Sequence, residues 1–523
     1  MTRRELLQMI GAGAATRAAR SFAGAAAIGS YPFVEGTGGQ RADPDIELLL
    51  RAAPDEARIF PGRATDVWRF GATVVKGRAD AVQALADSYL GPTLRFRRGE
   101  RVRIRFVNDL PEESIVHWHG LDVPETADGH PRFAIAPGRE YLYEFTVTSR
   151  AGTYWYHPHP HHRTGAQVYR GLAGLLIVSD DEERALDLPG GEYELPCVIQ
   201  DRRVTADNQF TYLGPGMMDA MHGFTGDRVL VNGRLAPVTN VESRPYRMRI
   251  LNGSSARTYK LQWHDGTPMT ILGTDGGLLE RPRTQRSLLL APAQRADVYV
   301  DLSGRATGST LELRTAEFPA NALDRTTGGG RGRMGRGGPM GMAPGGNGSP
   351  HHLMTLRVDR RATVSSRLPD RLTPPPALPD AGPGIAVRQV PLSFGAGQWL
   401  LAGRTFELLA TTPDEEVRAG STQTWEVTNT SGMMNLPMAH PLHIHGRPFR
   451  ILGRTPPPGD TGDAAVREGL VDEGWHDTVL VLPGETVRLQ VTFTEHPGLY
   501  LYHCHMLEHE DMGMMRNFRV LPR

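Results

Sequence analysis

Apolar and polar residues alternate along much of this chain. Residues 101–108, R-V-R-I-R-F-V-N, place Val, Ile and Phe on one face and mostly arginine on the other, the pattern of a half-buried β-strand. Strands of this kind follow proline-containing turns in A-P-G-R-E-Y-L-Y-E-F-T-V at 136–147, L-A-P-A-Q-R-A-D-V-Y-V-D-L at 290–302 and V-L-P-G-E-T-V-R-L-Q-V-T-F at 481–493. A second phrase repeats as well, R-A-G-T-Y-W-Y-H-P-H at 150–159 matching H-P-G-L-Y-L-Y-H-C-H at 496–505. Strand openings at 92–108 and 417–429 form a third shared element. Repetition at domain scale predicts an all-β protein of three β-sandwich domains with similar topology.

Punctuation along the chain gives the boundaries. A segment at 1–40 precedes a first domain at 41–180, a second spans 184–360, and a proline-rich linker at 361–384 leads to a third at 385–523. Pro374, Pro375 and Pro376 mark the linker as stiff. Residues 326–350 are nearly all Gly, Arg, Pro and Met, including Met334, Met340 and Met342. A stretch so poor in large apolar groups is expected to be a mobile loop.

Composition narrows the classes. The chain has 523 residues, enough for about three cores. With 58 basic and 58 acidic residues it has no net field to draw nucleic acid or an anionic membrane. An uninterrupted apolar run of spanning length is absent, so no stable membrane insertion is expected. Two cysteines, Cys197 and Cys504, exclude a disulfide framework and make a cysteine among histidines a ligand or nucleophile. Cys197, in L-P-C-V-I-Q, reads as a buried strand residue. The N-terminus pairs Arg3 with Arg4 ahead of an Ala/Gly stretch ending near Ala25–Ala27. That resembles a twin-arginine export signal, so a periplasmic or secreted location is expected.

Four phrases concentrate the chemistry: H-W-H-G with His117 and His119, H-P-H with His157 and His159, H-P-L-H-I-H-G with His440, His443 and His445, and H-C-H-M-L-E-H-E-D-M-G-M with His503, Cys504, His505, His509 and Met514. On a strand, both imidazoles of an H-x-H unit point to one face, so each pair can grip a metal. Imidazole suits copper, iron and zinc. Cys504 points to the opposite face from His503 and His505. With His440, His509 and Met514 it completes two imidazoles, a thiolate and a weak thioether, the ligand set of a blue-copper electron-transfer centre. One short stretch thus touches two sites, a wiring that zinc, which has no redox chemistry, does not need.

These phrases, in this order, resemble those of the multicopper oxidases, and among them the bacterial three-domain branch of laccases and cuprous oxidases. The resemblance covers essentially the whole chain after the signal. It implies three cupredoxin-like Greek-key β-sandwich domains and four copper ions. It implies a type 1 copper on His440, Cys504, His509 and Met514, and a type 2 copper on His117 and His443. A type 3 pair would be held by His119, His157, His159, His445, His503 and His505. The cluster is then expected between the first and third domains, with the middle one structural. In the first-domain repeat Pro158 stands where Cys504 stands in the third, so only the third can hold the type 1 copper.

On the same resemblance, dioxygen is the acceptor and a small phenolic compound or Cu(I) the reductant. Electrons are expected to enter at an exposed edge of His440, beside Met438, with Met433 and Met434 near. Leu436 and Pro437 stand where cuprous oxidases carry an accompanying acid. Asp128 and Glu510 match carboxylates implicated in proton delivery, although orienting a histidine is an ordinary role for such acids. Asp472, Glu473 and Asp477 form a further acidic region, aiding metal ions or solvating a loop. His161 and His162 read as solvated or histidine-supporting rather than as ligands. The alternative function is a non-catalytic copper-binding scaffold, since fold alone does not fix activity.

Overall fold

The computed structural model describes residues 33–34, 43–214, 217–325, 346–362, 367–374, 387–430, 438–459 and 463–523. The export-signal residues, Met334, Met340, Met342, Pro375, Pro376, Met433, Met434, Leu436 and Pro437 lie outside them.

Among the described residues the strands form six sheets, and one arrangement recurs in three of them. Ile46–Ala57 runs parallel to Arg101–Asn108, which pairs antiparallel with Arg139–Thr146. Glu194–Arg202, Pro245–Asn252 and Arg295–Asp301 repeat this order, and Val387–Gly395, Thr422–Asn429 and Thr486–Thr492 repeat it again. Tight turns cannot join parallel neighbours, so the chain must leave for another layer and return, as Greek-key sandwiches do. The alternation read from the sequence is visible in Arg101–Asn108, where Val102, Ile104 and Phe106 are buried and Arg101 is exposed. Burying side chains of this kind contributes about 1.5–3 kcal/mol each.

Each pair of sheets closes on its own apolar core. Ile104, Trp118, Tyr143 and Leu176 belong to the first, Ile250, Leu261, Val298 and Leu356 to the second, and Trp425, Leu442, Leu489 and Tyr500 to the third. Cys197 is buried on a strand of the second core.

The histidine phrases lie on matching sheets of the first and third sandwiches. In the first, Val116–His119 pairs with Gly152–Pro158, placing His117 opposite His157 and Val116 opposite Pro158. In the third, His440–Ile444 pairs with Gly498–Cys504, placing His443 opposite His503 and Leu442 opposite Cys504. The sequence repeat is therefore a repeat of register. The two sandwiches meet along a seam where Thr494 Oγ1 donates to Asp122 Oδ1 at 2.5 Å and the Tyr500 hydroxyl donates to Val123 O at 3.1 Å.

The segment 326–350 departs from expectation at its C-terminal end. Gly346 and Gly348 are buried. Arg257 Nη1 donates to Gly346 O at 2.9 Å, and Phe318 N to Gly348 O at 3.2 Å. Backbone carbonyls, not apolar side chains, give this stretch its anchorage, which is why composition concealed it.

Candidate metal centre

Eight histidines face one another across the seam: His117, His119, His157 and His159 from the first sandwich, and His443, His445, His503 and His505 from the third. None is more than 2% exposed. His117 Nε2 lies 3.4 Å from His443 Nε2, His445 Nε2 lies 3.2 Å from His503 Nε2, and His159 Nε2 lies 3.4 Å from His503 Nε2. His119 is turned the other way, its Nδ1 lying 3.4 Å from His157 Nε2. Three groups of three converging nitrogens result: His117 with His119 and His157, His117 with His443 and His445, and His159 with His445 and His503. His505 joins none of these groups, although its ring lies 5.1 Å from that of His119 and 5.4 Å from that of His157.

The outer nitrogens explain the inward ones. His117 Nδ1 donates to Asp128 O at 2.5 Å, His443 Nδ1 to Asp477 O at 2.7 Å, His157 Nδ1 to Pro158 O at 2.9 Å and His503 Nδ1 to Cys504 O at 3.1 Å. A carbonyl only accepts, so each of these rings carries its proton on Nδ1 and presents a bare Nε2 lone pair inward. Pro158 and Cys504 serve the same backbone role in the two repeats. Gly129, at φ +84°, lets the chain pass the His117 strand, since a Cβ there would lie 2.7 Å from His117 Cα.

Cys504 occupies the other face of its strand, as alternation requires. Its Sγ lies 3.5 Å from His440 Nδ1 and 3.7 Å from His509 Nδ1, within the third core. His509 Nε2 donates to Met221 O at 3.1 Å, and the Trp399 ring lies 4.1 Å from the His509 ring. Met514 is fully buried in the same core, and its carbonyl accepts from Cys504 N at 3.0 Å.

Carboxylates stand behind the histidines. Asp128 Oδ2 is 2.7 Å from His445 Nδ1, while its Oδ1 lies 3.7 Å from His117 Nδ1 with no hydrogen-bond partner. Glu510 Oε2 lies 3.2 Å from His503 Nδ1 and Oε1 3.5 Å from His159 Nε2. Burial pushes the Asp128 carboxyl well above the usual carboxylate range. Burial also opposes ionisation of Glu510, but His503 and His159 overcome it and hold that group down to about 2. The two acids are therefore pushed in opposite directions.

Two sequence expectations need correction. His440 has no exposed edge, being 1% exposed. Met438 instead lines a cavity of about 90 Å³ with Met218, His222, Asp324 and Met506, where His222 Nδ1 and Asp324 Oδ2 are 2.8 Å apart. Asp477 is not part of a solvated acidic surface. It is fully buried, its Oδ1 lies 3.0 Å from His119 Nε2, and Arg295 of the middle sandwich grips both its oxygens. Burial raises the Asp477 carboxyl and Arg295 opposes that. Two guanidinium nitrogens and the Thr478 hydroxyl all donating to one group is the geometry of a carboxylate. Asp472 and Glu473 pair instead with Arg454 and Arg283. The middle sandwich thus reaches the centre without supplying a histidine. No short motif announces Arg295; the nearest signal is its place in the repeated turn at 290–302. His162 is exposed and its Nδ1 donates to Asp511 O at 2.6 Å, with His161 stacked on it.

The donor sets suit copper. Burial holds His157 near 3 and His159 near 4, and His117, His119, His443, His445 and His505 well below their ordinary value, so these rings are neutral, the form that binds metal. Bare lone pairs 3.2–3.4 Å apart repel unless a cation lies between them. Burial likewise pushes the Cys504 thiol up, so a thiolate here requires a cation beside it. Thiolate with two imidazoles selects copper over harder ions.

Three family models, each described as multicopper oxidase, match residues 69–183, 205–309 and 386–523. The chain is 30% identical over 448 residues to "Multicopper oxidase mco" of Staphylococcus aureus, covering 85% of each protein. It is 30% identical over 520 residues to "Cell division protein FtsP" of Sodalis glossinidius, covering 94% of this chain and 98% of that one. Among solved structures, a laccase from Pediococcus acidilactici superimposes with a TM-score of 0.73 at 31% identity, covering 94% of this chain and 96% of that one.

Proposed function

The chain belongs to the multicopper oxidase family and is an oxidoreductase that couples substrate oxidation to oxygen reduction; on that premise we propose which residues hold its metal and where its reductant docks. His440, Cys504, His509 and Met514 hold a type 1 copper. His117 and His443 hold a type 2 copper. His119, His157, His159, His445, His503 and His505 hold a type 3 pair, giving four copper ions. When bound, copper supplies one-electron transfer beside Cys504 and the reduction of dioxygen to water at the histidine cluster.

One observation carries this reading. Cys504 Sγ faces the Nδ1 atoms of His440 and His509, while the adjacent His503 presents Nε2 to His159 and His445 on the other face of the strand. The chain itself is therefore the covalent bridge between the two sites. Around the cluster, Asp128 and the Asp477 carbonyl fix ring orientation. Glu510 takes up and releases a proton beside His503 and His159, and Asp128 holds one at Oδ1, beside His117.

The reductant, a small phenol or Cu(I), docks in the cavity beside Met438. Ala439 and Pro441, which flank His440, line it too, and the thioethers of Met218, Met438 and Met506 suit a soft ion. Parallel assays with Cu(I), Fe(II) and a methoxyphenol test this. Cu(I) use predicts that Met438→Leu raises KM for Cu(I) and leaves the phenol unaffected. Absence of Cu(I) turnover leaves the phenol as substrate.

The rival reading is a non-catalytic copper-binding scaffold, and the relative named as a cell division protein says nothing for or against it. A scaffold without turnover has no need to keep every donor, and here each position is filled, which weighs towards the enzyme. We place the protein in the periplasm or outside the cell, on the strength of Arg3–Arg4 and the Ala/Gly stretch after them. Cell fractionation of the wild type and of an Arg3→Lys/Arg4→Lys variant tests that placement: retention of only the variant is expected.

A further inference from the structure

Arg295 uses every donor it has at one point. Its Nε donates to Thr153 O at 2.9 Å, Nη1 to Ala293 O at 3.0 Å and Asp477 Oδ1 at 2.7 Å, and Nη2 to Asp275 O at 3.2 Å and Asp477 Oδ2 at 2.5 Å. Thr153 belongs to a strand of the first sandwich, Ala293 and Asp275 to the middle one, and Asp477 to the third. Five bonds in a fixed planar fork place one guanidinium where all three bodies meet. Arg295 and Asp477 are both fully buried in their side chains, so neither charge has water to fall back on.

Asp477 passes this rigidity to two histidines by two different atoms. Its Oδ1 lies 3.0 Å from His119 Nε2, and its backbone carbonyl takes the proton of His443 Nδ1. His119 is the ring that faces the cluster through Nδ1. A carboxylate already bound by a guanidinium only accepts, so it holds the His119 proton on Nε2 and leaves Nδ1 bare. The His119 and His443 rings then stack, with centroids 3.7 Å apart. Gly120, at φ +90°, closes the H-W-H-G phrase because of the same pair. A Cβ there would lie 2.8 Å from Arg295 Nη2 and would also strike Asp477 Oδ2.

We propose that Arg295 and Asp477 are a positioning pair through which the middle sandwich sets the tautomer of His119 and the orientation of His443. This rests on the reading of those histidines as copper ligands. The middle sandwich, lacking any H-x-H pair, thereby takes part in building the metal centre. Residues supporting a ligand histidine typically govern about 10–100-fold in metal affinity.

The test uses the full chain, loaded with copper, in two variants. Asp477→Asn removes the carboxylate alone. Arg295→Gln/Asp477→Asn removes both charges together, so that neither is left buried without the other if the single variant folds poorly, while Asp275, 3.5 Å from Arg295, keeps His476 at 3.8 Å. Copper per chain, the blue absorption of the Cys504 site and the electron paramagnetic resonance of the cluster are measured in each. The blue band should persist in both, reporting an intact third sandwich. Cluster copper should be lost about 10–100-fold more readily to a chelator, with an altered type 2 resonance. Wild-type chelation curves and resonance in variants that retain the blue band would overturn the pair's role. A wild-type protein that takes up copper only at Cys504 would overturn the ligand reading itself, and the pair's role with it.

Discussion

His117 and His443 stand 326 residues apart in sequence, yet their Nε2 atoms are 3.4 Å apart across the seam between the first and third sandwiches. Each ring is held by a backbone carbonyl behind it, Asp128 O or Asp477 O, so the meeting is imposed by the fold rather than by flexible side chains. Replacing either histidine by Ala should remove the type 2 resonance while leaving the blue absorption intact. Electron paramagnetic resonance of copper-loaded His117→Ala and His443→Ala is the check, and an unchanged spectrum in either would dissociate that ring from the site.

Cys504 should be separable from the cluster in the opposite sense. Cys504→Ser keeps the strand and its pairing with Leu442, but a hydroxyl is no soft anionic ligand. The blue band should vanish and reductant oxidation fall below detection, while cluster copper remains. Residual blue absorption in this variant would contradict the assignment.

Glu510 lies against His503 and His159, so on the proposed ligand assignment it acts in the oxygen half of the reaction. Glu510→Gln should slow reoxidation of the reduced protein by dioxygen by about 10²–10⁴-fold, the span of a lost proton-transfer group. Reduction by the substrate should keep its wild-type rate. Stopped-flow measurement of the two half-reactions separates these, and equal slowing of both would point to a structural defect.

The acid limit of stability should carry the signature of His130, which joins the seam without being a proposed ligand. Its Nδ1 accepts from Arg132 N at 3.2 Å, so its proton sits on Nε2, facing Asn517 Oδ1 at 2.9 Å. Burial lowers this histidine from 6.5 to about 3. The unfolded chain therefore binds the extra proton first as pH falls. Stability from this group is complete above pH 6.5 and is lost progressively as the pH drops towards 3. Denaturant midpoints of copper-loaded wild type and His130→Gln, compared from neutral to acid pH, should converge as the pH falls. Curves that stay parallel would rule out His130 as a source of the acid sensitivity.

The fold class and the histidine pairs were legible because both depend on local spacing. Alternation in R-V-R-I-R-F-V-N reports a strand directly, and an H-x-H unit fixes its own geometry on that strand. Cys504, lying between two histidines, could be assigned to the opposite face by the same rule. What stayed hidden depends on distant chain. Asp477 reads as one more acid in V-D-E-G-W-H-D because its partner Arg295 is 182 residues away. The cavity at Met438 likewise arises from several segments, including the one carrying Met218 and His222, and His440 is buried against Trp399 and His509. Gly346 and Gly348 are anchored through their carbonyls, which composition does not report.

Electron balance tests the central claim most directly. Purified chain, loaded with copper to saturation, is given a one-electron reductant in a closed oxygen electrode, and reductant consumed, dioxygen consumed and peroxide formed are measured together. An intact route from Cys504 to the cluster predicts roughly four reductant molecules per dioxygen, with no peroxide released. About two per dioxygen with accumulating peroxide, or no uptake from a fully loaded blue protein, would contradict it.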